Sequence, residues 1–469
     1  MTSTLGGIDL ARLRAFRAEE EATYSAARPR SAALAAQARN GWVNGVPMQW
    51  MTDWPLPYPL FIERGEGSQL VDVDGHDYAD FCLGDTGAMF GHASPPVVAA
   101  ACRQAARGFT HMLPTGDAAV VGGLLRETFG LPVWQVALSA TDANRFALRV
   151  ARAVTGRPRI LVFNGCYHGT VDECMVDLHD GQARNRLGLL GEFRDLTSGT
   201  AVVEFNDLAA LEAALGKGDI ACVITEPVLT NSSMVLPDPG FHAKLRSLTR
   251  TAGTLLLIDE THTSSSGFGG YTRVHGLEPD LWVCGKAIAG GVPTAVWGMT
   301  DAVAGGYEAA LRDKAPGHSG IGTTLAANAL SLAALRANLE QVMTPANYAA
   351  MEARAGHVAD ALTAVIGGLP WHVARVGARI EVIFSARPLR NGTEASAAHL
   401  VELEQAVHIG LVNRGVLIAP FHNMMLVSPA TTDDDVERLV SATAHTIRRL
   451  TNQGYDSKYD VKLGMNGNS

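Results

Sequence analysis

The chain has 469 residues, of which 47% are hydrophobic and 18% are charged, and 38 basic against 47 acidic residues give a formal net charge of −9. This composition excludes a largely disordered protein, and the acidic balance argues against a nucleic-acid-binding surface. No run of about 18 apolar residues is present, so we expect no membrane span. The six cysteines form no CxxC pair, which favours reduced thiols in a cytoplasmic protein.

The N-terminal part of the chain predicts two helices, over 8–28 and 29–39, separated by a proline that interrupts the helical pattern. An aromatic loop follows at 41–60, with three tryptophans and one tyrosine. Such a composition is typical of a pocket or interface wall, although simple packing is the alternative. Three short strands are then predicted at 59–64, 69–74 and 78–82.

Helices alternate with short apolar strands from about residue 95. The helices are predicted at 96–107, 118–129, 142–154, 208–215, 240–251 and 301–312. The strands between them are predicted at 136–138, 160–163, 221–225, 254–258, 281–284 and 295–298. This alternation indicates βαβ units, and hence an α/β fold with a mostly parallel sheet.

The C-terminal part mixes helices and strands and predicts a smaller α+β domain. A long helix is expected from Thr324, further helices at 348–366, 396–410 and 433–450, and strands at 380–384 and 424–427. We therefore divide the chain into an N-terminal segment (1–75) that joins the small domain, a large domain (76–340) and a C-terminal domain (341–469). The tail at 452–469 is expected to be weakly ordered.

Two residues at the ends of predicted strands are candidates for catalysis. Lys286 follows a short apolar strand and is enclosed by Cys, Gly, Ala and Ile, so it loses solvation, which favours Schiff-base chemistry. The alternative is a structural lysine that extends from the strand end into solvent. Asp259 ends the next apolar run upstream, at the sheet edge where ligands bind, and its carboxylate suits a pyridinium nitrogen. The alternative is an aspartate that caps a turn.

Two loops at the same predicted edge are candidates for cofactor binding. Ser139-Ala-Thr lies between a strand and a helix, and the N–H groups at a helix N-terminus bind phosphate. Ser139 is equally well explained as a helix cap. In Phe163-Asn-Gly-Cys-Tyr-His-Gly, the aromatic face of Tyr167 stands beside His168, and Tyr167 could also be a packing residue.

The order of these motifs is more specific than any one of them. The strings SATDAN (139–144), YHG (167–169), TEP (225–227), DE (259–260) and GK (285–286) together resemble the class III aminotransferases. These are enzymes of fold type I that use pyridoxal 5′-phosphate (PLP). Within them, the chain is most similar to the glutamate-1-semialdehyde aminomutase-like branch, and the resemblance covers about residues 40 to 450.

The resemblance implies roles for individual residues. Lys286 would form the Schiff base with the cofactor and move the proton, and Asp259 would pair with the pyridinium nitrogen. The remaining cofactor-binding residues would be Ser139, Ala140 and Thr141 at the phosphate, Tyr167, His168 and Glu226 near the ring, Thr261 on the opposite ring face, and Thr324 from the neighbouring subunit. The family thus implies a homodimer with its active sites at the subunit interface. No metal is implied.

Three positions depart mildly from the family pattern. Ala140 stands where the phosphate turn usually has glycine, and Thr261 stands where a valine usually packs on the ring. Thr323 replaces the glycine that usually precedes the interfacial threonine.

Substrate recognition departs more, because two arginines that bind substrate carboxylates in related β-amino-acid transaminases have no counterpart. The matching segments offer 48–51 (Met-Gln-Trp-Met) and His422 instead. We therefore expect an amine without a carboxylate at the usual place, unless Arg379 or Arg390 moves in. The pocket would be lined by Trp50, Trp54 and Tyr58, and Asp85 would favour a polar or cationic amine. A loop aspartate bonded to backbone is the alternative for Asp85.

The sequence thus predicts a transaminase that moves an amino group from a small-molecule amine donor to a carbonyl acceptor by a ping-pong mechanism. An aminomutase or racemase is the first alternative, because the cofactor chemistry is shared. A non-enzymatic PLP-binding regulator is the second alternative.

Overall fold

The computed structural model describes residues 4–451, so the predicted weakly ordered tail at 452–469 lies outside the described residues. In chain order the strands are β1 (Thr4–Leu5), β2 (Ile8–Asp9), β3 (Ile62–Glu66), β4 (Gln69–Asp72), β5 (Asp77–Asp80), β6 (Val133–Ala137), β7 (Arg159–Phe163), β8 (Val176–His179), β9 (Gln182–Asn185), β10 (Thr200–Val203), β11 (Ile220–Thr225), β12 (Leu255–Asp259), β13 (Leu281–Cys284), β14 (Ala295–Met299), β15 (His372–Val376), β16 (Arg379–Ile383), β17 (Val416–Leu417) and β18 (Met424–Leu426).

The α-helices surround these strands. They are α1 (Leu10–Ala27), α2 (Pro29–Ala38), α3 (Pro95–Ala105), α4 (Gly116–Phe129), α5 (Ala140–Thr155), α6 (Leu208–Leu215), α7 (Phe241–Ala252), α8 (Gly270–Val274), α9 (Asp301–Asp313), α10 (Ala329–Gln341), α11 (Pro345–Val365), α12 (Gly392–Ala398), α13 (Val401–Val412) and α14 (Asp433–Thr451). None of the helices within 4–451 is long and apolar enough to cross a membrane.

A seven-stranded sheet forms the centre of the fold, with the strand order β10-β7-β11-β12-β13-β14-β6. The pairs among β10, β7, β11, β12 and β13 are parallel, whereas β14 runs antiparallel to both of its neighbours. All residues of β11 and β13 are buried, as expected for strands covered by helices on both faces. The predicted α/β fold with a mostly parallel sheet is therefore confirmed.

Helix α5 shows how the local sequence shapes the central layer. It begins after Ser139, whose side chain accepts a hydrogen bond from the Asp142 backbone N–H, and it ends at Gly156, which has a φ of +68°. Its apolar face, which includes Phe146 and Val150, is buried in the main hydrophobic core. The N-terminus of α5 consequently points to the edge of the sheet where β6 ends.

A second hydrophobic core joins the two ends of the chain. Leu13 and Phe16 of α1 are buried in the same cluster as Leu403 of α13 and Leu439 of α14. Strand β17 pairs in parallel with β5, so the four-stranded sheet β17-β5-β4-β3 contains both early and late segments. The exact division at 75/76 and 340/341 stays a prediction.

The predicted break at Pro29 agrees with the structure, in which Pro29 begins α2, because a proline at the first helical position loses no hydrogen bond. Two other predicted helix boundaries need correction. The helix expected from Thr324 starts only at Ala329, since Asn328 caps it by accepting from the Ser331 N–H. The helix expected at 396–410 is divided into α12 and α13, and Glu404 accepts a hydrogen bond from the Leu400 N–H at the break.

Candidate active site

A cavity of about 320 Å³ lies where several strands of the central sheet end. The segments that follow β6, β7, β11, β12 and β13 all contribute to its wall, which places it at the carboxyl edge of the parallel strands. The residues predicted from the sequence that line it are Ser139, Ala140, Thr141, Tyr167, Glu226, Asp259, Thr261 and Lys286. The fold thus brings together residues that are up to 147 positions apart, from Ser139 to Lys286.

The Asp259 carboxylate at the end of β12 is buried and held by hydrogen bonds to both oxygens. One oxygen accepts from Asn144 Nδ2 at 2.8 Å and lies 3.0 Å from His168 Nδ1. The other accepts from the Thr261 hydroxyl at 2.7 Å and from the Thr261 backbone N–H at 3.1 Å. This arrangement fixes the direction of the carboxylate.

The charges of Asp259 and His168 support each other. Burial opposes ionisation of Asp259, but the hydrogen bond and charge of His168, together with the bonds from Thr261 and Asn144, outweigh burial and lower its pKa. Burial also opposes the charge on His168, whereas the Cys166 sulfur and the Asp259 carboxylate favour it and raise its pKa to about 10. At neutral pH the site therefore contains an anionic Asp259 backed by a cationic His168.

Thr261, where the family usually has valine, has a specific role in this chain. Its hydroxyl donates to Asp259 and also accepts from the Gly285 backbone N–H at 3.3 Å. It therefore links the carboxylate to the peptide that precedes Lys286. A valine would fill the same space but would make neither bond.

The segment 139–141 forms a turn at the N-terminus of α5, where free backbone N–H groups attract phosphate. Ser139 caps the helix, so the structural alternative is correct, and it also lies on the cavity wall. Gly169, with a φ of +76°, lies so close that a Cβ there would overlap the Thr141 side chain. A Cβ at Gly285 would meet Ala140 within 3.0 to 3.1 Å. Two glycines thus keep this turn open.

Lys286 adopts a φ of +47°, which is rare for a residue with a side chain and is often found at functional sites. Its Nζ lies 2.5 Å from Asp85 Oδ2 and 2.5 Å from His262 Nε2. The sequence analysis expected apolar surroundings for the Lys286 amino group, and this expectation is wrong. Polar partners surround the amino group, and the side chain is 30% exposed. Burial opposes ionisation of Asp85, but Lys286 and His262 hold the pKa of that carboxyl well below its usual range.

The other predicted cofactor-binding residues differ in position. Tyr167 lines the cavity and is 42% exposed, so its ring face is accessible. Glu226 also lines the cavity but is buried and bonded to Thr230. His168 contacts Asp259 from behind and is absent from the described cavity wall, so it acts through the carboxylate. Thr324 does not line the cavity of its own chain, and its predicted contact with a neighbouring subunit stays a prediction.

The predicted substrate residues do not gather in this cavity, although Asp85 contacts two of its lining residues, Lys286 and His262. Trp54 packs edge-on against His408, and the Tyr58 hydroxyl donates to backbone carbonyls, including that of Arg28. Both rings pack against a third, smaller hydrophobic cluster around Tyr78. Trp50 is exposed on this chain.

The charged residues considered for substrate binding also have partners elsewhere. His422 is partly exposed and lies beside Glu381, with its Nδ1 3.1 Å from a carboxylate oxygen. Arg390 pairs with Asp238 in an exposed ion pair. Arg379 is fully buried and donates to the Thr86 hydroxyl at 2.5 Å. No arginine lies on the cavity wall that the described residues form.

The sequence analysis missed several residues of the site, including Asn144, His262 and Thr230. Asn144 and His262 lie within or beside the motifs SATDAN and DE, so their proximity to those motifs is the signal that could have found them. Thr230 carries no such signal, since only the fold brings its hydroxyl to 2.8 Å from His262 Nδ1.

Comparison with protein-family models matches residues 51–447 to the family described as aminotransferase class-III. The chain belongs to this family. The match confirms the predicted fold, the enzyme class and PLP as the cofactor. The residues present fit this cofactor, because the cavity combines a helix N-terminus for a phosphate, a fixed carboxylate, an accessible aromatic ring and a lysine.

Relatives within the class III family support a specific branch. A glutamate-1-semialdehyde 2,1-aminomutase of Desulfosudis oleivorans is 34% identical over 394 residues, covering 82% of this chain and 90% of the relative. The crystal structure of a glutamate-1-semialdehyde-aminomutase from Pseudomonas aeruginosa PAO1 is 48% identical with a TM-score of 0.93, covering 95% of this chain and all of that one. The crystal structure of a K286A variant of a glutamate-1-semialdehyde-aminomutase from the same organism contains PMP. It is 47% identical to this chain, with a TM-score of 0.93, and covers 95% of this chain and all of that one.

These relatives confirm the resemblance to the glutamate-1-semialdehyde aminomutase-like branch. Their names favour the aminomutase, which the sequence analysis placed second, over the ping-pong transaminase, which it placed first.

The class III phosphate turn provides a first prediction. Gly169→Ala should raise the Kd for PLP about tenfold or more, because a cost of about 1.4 kcal/mol from overlap with Thr141 corresponds to a factor of ten. The measurement is fluorescence titration of the cofactor-depleted enzyme. Gly181→Ala is the matched control, since its φ is +74° but nothing lies within 4 Å of the added Cβ. An equal change in Kd in both variants would show that overlap with Thr141 is not the cause of weaker PLP binding.

The pair of His168 and Asp259 provides a second prediction. His168→Gln should lower the free energy of unfolding by about 3 to 5 kcal/mol, because it leaves a buried carboxylate without its cation. A His whose pKa is raised on folding contributes stability that is complete below its unfolded value near 6.5 and is lost as the pH rises through the folded value of about 10. The difference between wild type and variant should therefore shrink over that interval in urea denaturation.

His408→Gln is the matched control for this experiment. His408 is also buried, but burial lowers its pKa to about 4, so it carries no charge at neutral pH. Its effect on stability should stay constant from neutral to alkaline pH. A pH-independent difference for His168→Gln as well would show that the His168 charge does not stabilise the fold.

Proposed function

We propose that this chain is a PLP-dependent aminomutase that moves an amino group between neighbouring carbons of one small-molecule substrate. The observation that carries the cofactor chemistry is that Lys286, Asp259 and the N-terminus of α5 line one cavity. The same residues would serve a transaminase. The names of the 34% and 48% identical relatives support the mutase.

The predicted residues that line the cavity each have a role in this proposal. PLP, when bound, supplies a carbonyl that takes up amino groups and a ring that stabilises negative charge on the substrate carbon. Ser139, Ala140 and Thr141 would hold its phosphate at the start of α5. Asp259 would keep the pyridine nitrogen protonated, and its low pKa and bond to His168 keep it anionic for that purpose.

The remaining residues would hold the ring and move protons. Tyr167 would contact one face of the ring and Thr261 the other, while Thr261 also orients Asp259. Lys286 would bind the cofactor carbonyl and carry the proton between substrate carbon atoms. Glu226 lines the same wall, close enough to the ring site to contribute charge.

The surroundings of Lys286 favour a substrate with a polar or cationic group. Asp85 places a carboxylate 2.5 Å from the lysine nitrogen, whereas the described cavity wall presents no arginine to bind a substrate carboxylate. We infer a vicinal amino-carbonyl compound in which recognition rests on the amine rather than on a carboxylate clamp.

We further propose that the enzyme is a cytoplasmic homodimer. Large apolar side chains are exposed on the single chain, which suits burial against a second copy: Trp42, Val43, Phe109, Met112, Leu113 and Leu325. In such a dimer Thr324 would reach the partner's phosphate site. The free cysteines support a reducing compartment.

The mutase proposal predicts turnover with one substrate and no acceptor. Purified holoenzyme given only glutamate-1-semialdehyde should form 5-amino-4-oxopentanoate, because moving the amino group from carbon 2 to carbon 1 yields that product. Product would be followed by chromatography and mass spectrometry over many turnovers. Lys286→Ala is the control without catalysis. A strict need for an added keto acid, with the enzyme stopping in its amine form, would contradict the mutase and support the transaminase.

The missing arginine predicts a substrate preference that applies if the chain is a transaminase. With a common keto-acid acceptor, 1-phenylethylamine should be converted faster than β-phenylalanine, because the carboxylate of the amino acid finds no guanidinium in the cavity. Initial kcat/KM values for the two donors decide this point. A strong preference for the amino acid would overturn the carboxylate-free substrate and indicate that an arginine moves in.

A further inference from the structure

A continuous line of hydrogen-bonding groups leads from Lys286 to a buried glutamate. Lys286 Nζ lies 2.5 Å from His262 Nε2, and His262 Nδ1 lies 2.8 Å from the Thr230 hydroxyl. The same hydroxyl lies 2.5 Å from Glu226 Oε2. His262, Thr230 and Glu226 are all buried, whereas the Lys286 side chain is 30% exposed, so the two inner bonds of the line are shielded from bulk water.

The chemistry of the groups assigns the hydrogens along this line. When Glu226 is ionised, the Thr230 hydroxyl donates to it, and the hydroxyl oxygen then accepts from His262 Nδ1. Because neutral imidazole carries one proton, Nε2 is left as the acceptor for the Lys286 ammonium. The reverse arrangement satisfies the same distances, with Glu226 donating to Thr230, Thr230 donating to Nδ1, and Nε2 donating to a neutral Lys286 amine.

We propose that these groups form a proton relay in which Lys286 releases its proton to Glu226 through His262 and Thr230. The Nζ–H bond breaks as Nε2 gains a proton, Nδ1 passes its proton to the Thr230 oxygen, and the Thr230 hydroxyl proton moves to Glu226 Oε2. One proton is transferred in total, and Lys286 and Glu226 end uncharged. The relay thereby produces the neutral amine that Lys286 needs to bind the cofactor carbonyl or to take a proton from a substrate carbon.

The electrostatic surroundings make His262 a conductor of the proton rather than its final acceptor. Burial, followed by the charge of Lys286, lowers the pKa of His262 to about 4. Burial raises the pKa of Glu226, against the opposing effects of His168 and Thr230. A proton is therefore better accommodated on the glutamate than on the imidazole.

Other charged groups around the relay set its direction. Asp85 pairs with the Lys286 ammonium, and Arg379 adds positive charge near His262. His168 and Asp259 act on Glu226 with opposite signs. An incoming substrate ammonium would give Asp85 a new partner, so arrival of a cationic amine would favour release of the lysine proton. This step rests on the proposed function of Lys286.

Thr230→Val tests the relay because it removes the hydroxyl and preserves the side-chain volume. The rate at which the cofactor-depleted enzyme joins PLP to Lys286 would be followed by stopped-flow absorbance as a function of pH. At neutral pH we expect a loss of about a hundredfold, within the usual range for general acid–base catalysis. The rate should recover toward wild type at alkaline pH, where hydroxide removes the lysine proton directly.

Three further single variants and one double variant make the result specific. Thr230→Ser keeps a hydroxyl and should rescue most of the rate. His262→Gln breaks the same line, so the double variant with Thr230→Val should be no slower than the slower single variant. Thr443→Val is the matched control, because Thr443 is a buried threonine that bonds only its own helix, by donating to the Leu439 carbonyl.

The outcomes separate the relay from the proposed reaction. A Thr230→Val rate and pH profile equal to wild type would overturn the relay, as would a defect in His262→Gln alone, which would assign His262 a local role. Cofactor capture needs no substrate, so this result does not depend on whether the chain is a mutase or a transaminase. Infrared detection of a protonated carboxylic acid that disappears in Glu226→Gln would give independent support, and its absence at every pH would contradict Glu226 as the acceptor.

Discussion

The carboxylate of Asp259 is buried, and a buried charge is stable only where hydrogen bonds and an opposite charge replace the lost water. Much of the site follows from this requirement. Asn144 on α5, His168 after β7 and Thr261 after β12 each contribute a donor to Asp259. The carboxylate therefore ties three separate segments to one point. Its orientation is set before any ligand arrives, which reduces the reorganisation that cofactor binding requires.

Parallel strands make such convergence possible, because they deliver their carboxyl ends to a common edge. Close packing between the loops then fixes their spacing. Gly169 lies against Thr141, and Gly285 lies against Ala140, so the loops after β7 and β13 both approach the start of α5. Larger residues at either glycine would move the loop that carries Tyr167 or Lys286 away from the phosphate turn. The geometry of the cavity thus depends on backbone contacts as much as on its functional side chains.

The sequence predicts the central sheet well, because apolar runs flanked by helical patterns have few alternative folds. The sequence predicts helix ends less well. Helix α10 was expected from Thr324 but begins at Ala329, because the Asn328 side chain caps it there. Lys286 and Asp259 lie together on the cavity wall, as expected for residues that directly follow strands of a parallel sheet, and their catalytic roles stay predictions. Trp54 and Tyr58 do not line the cavity of this chain, because aromatic content does not reveal the direction in which a loop turns, and their contact with substrate stays a prediction.

The surroundings of Lys286 show what local sequence cannot express. Its neighbours along the chain are apolar, yet the nitrogen meets Asp85 and His262, which lie 201 and 24 positions away. A carboxylate and an imidazole acceptor hold the free amino group by hydrogen bonds and provide a route for its proton. A lysine that must alternate between a covalent bond and a free state needs both properties, because stabilising only one of the two states would slow every return to the other.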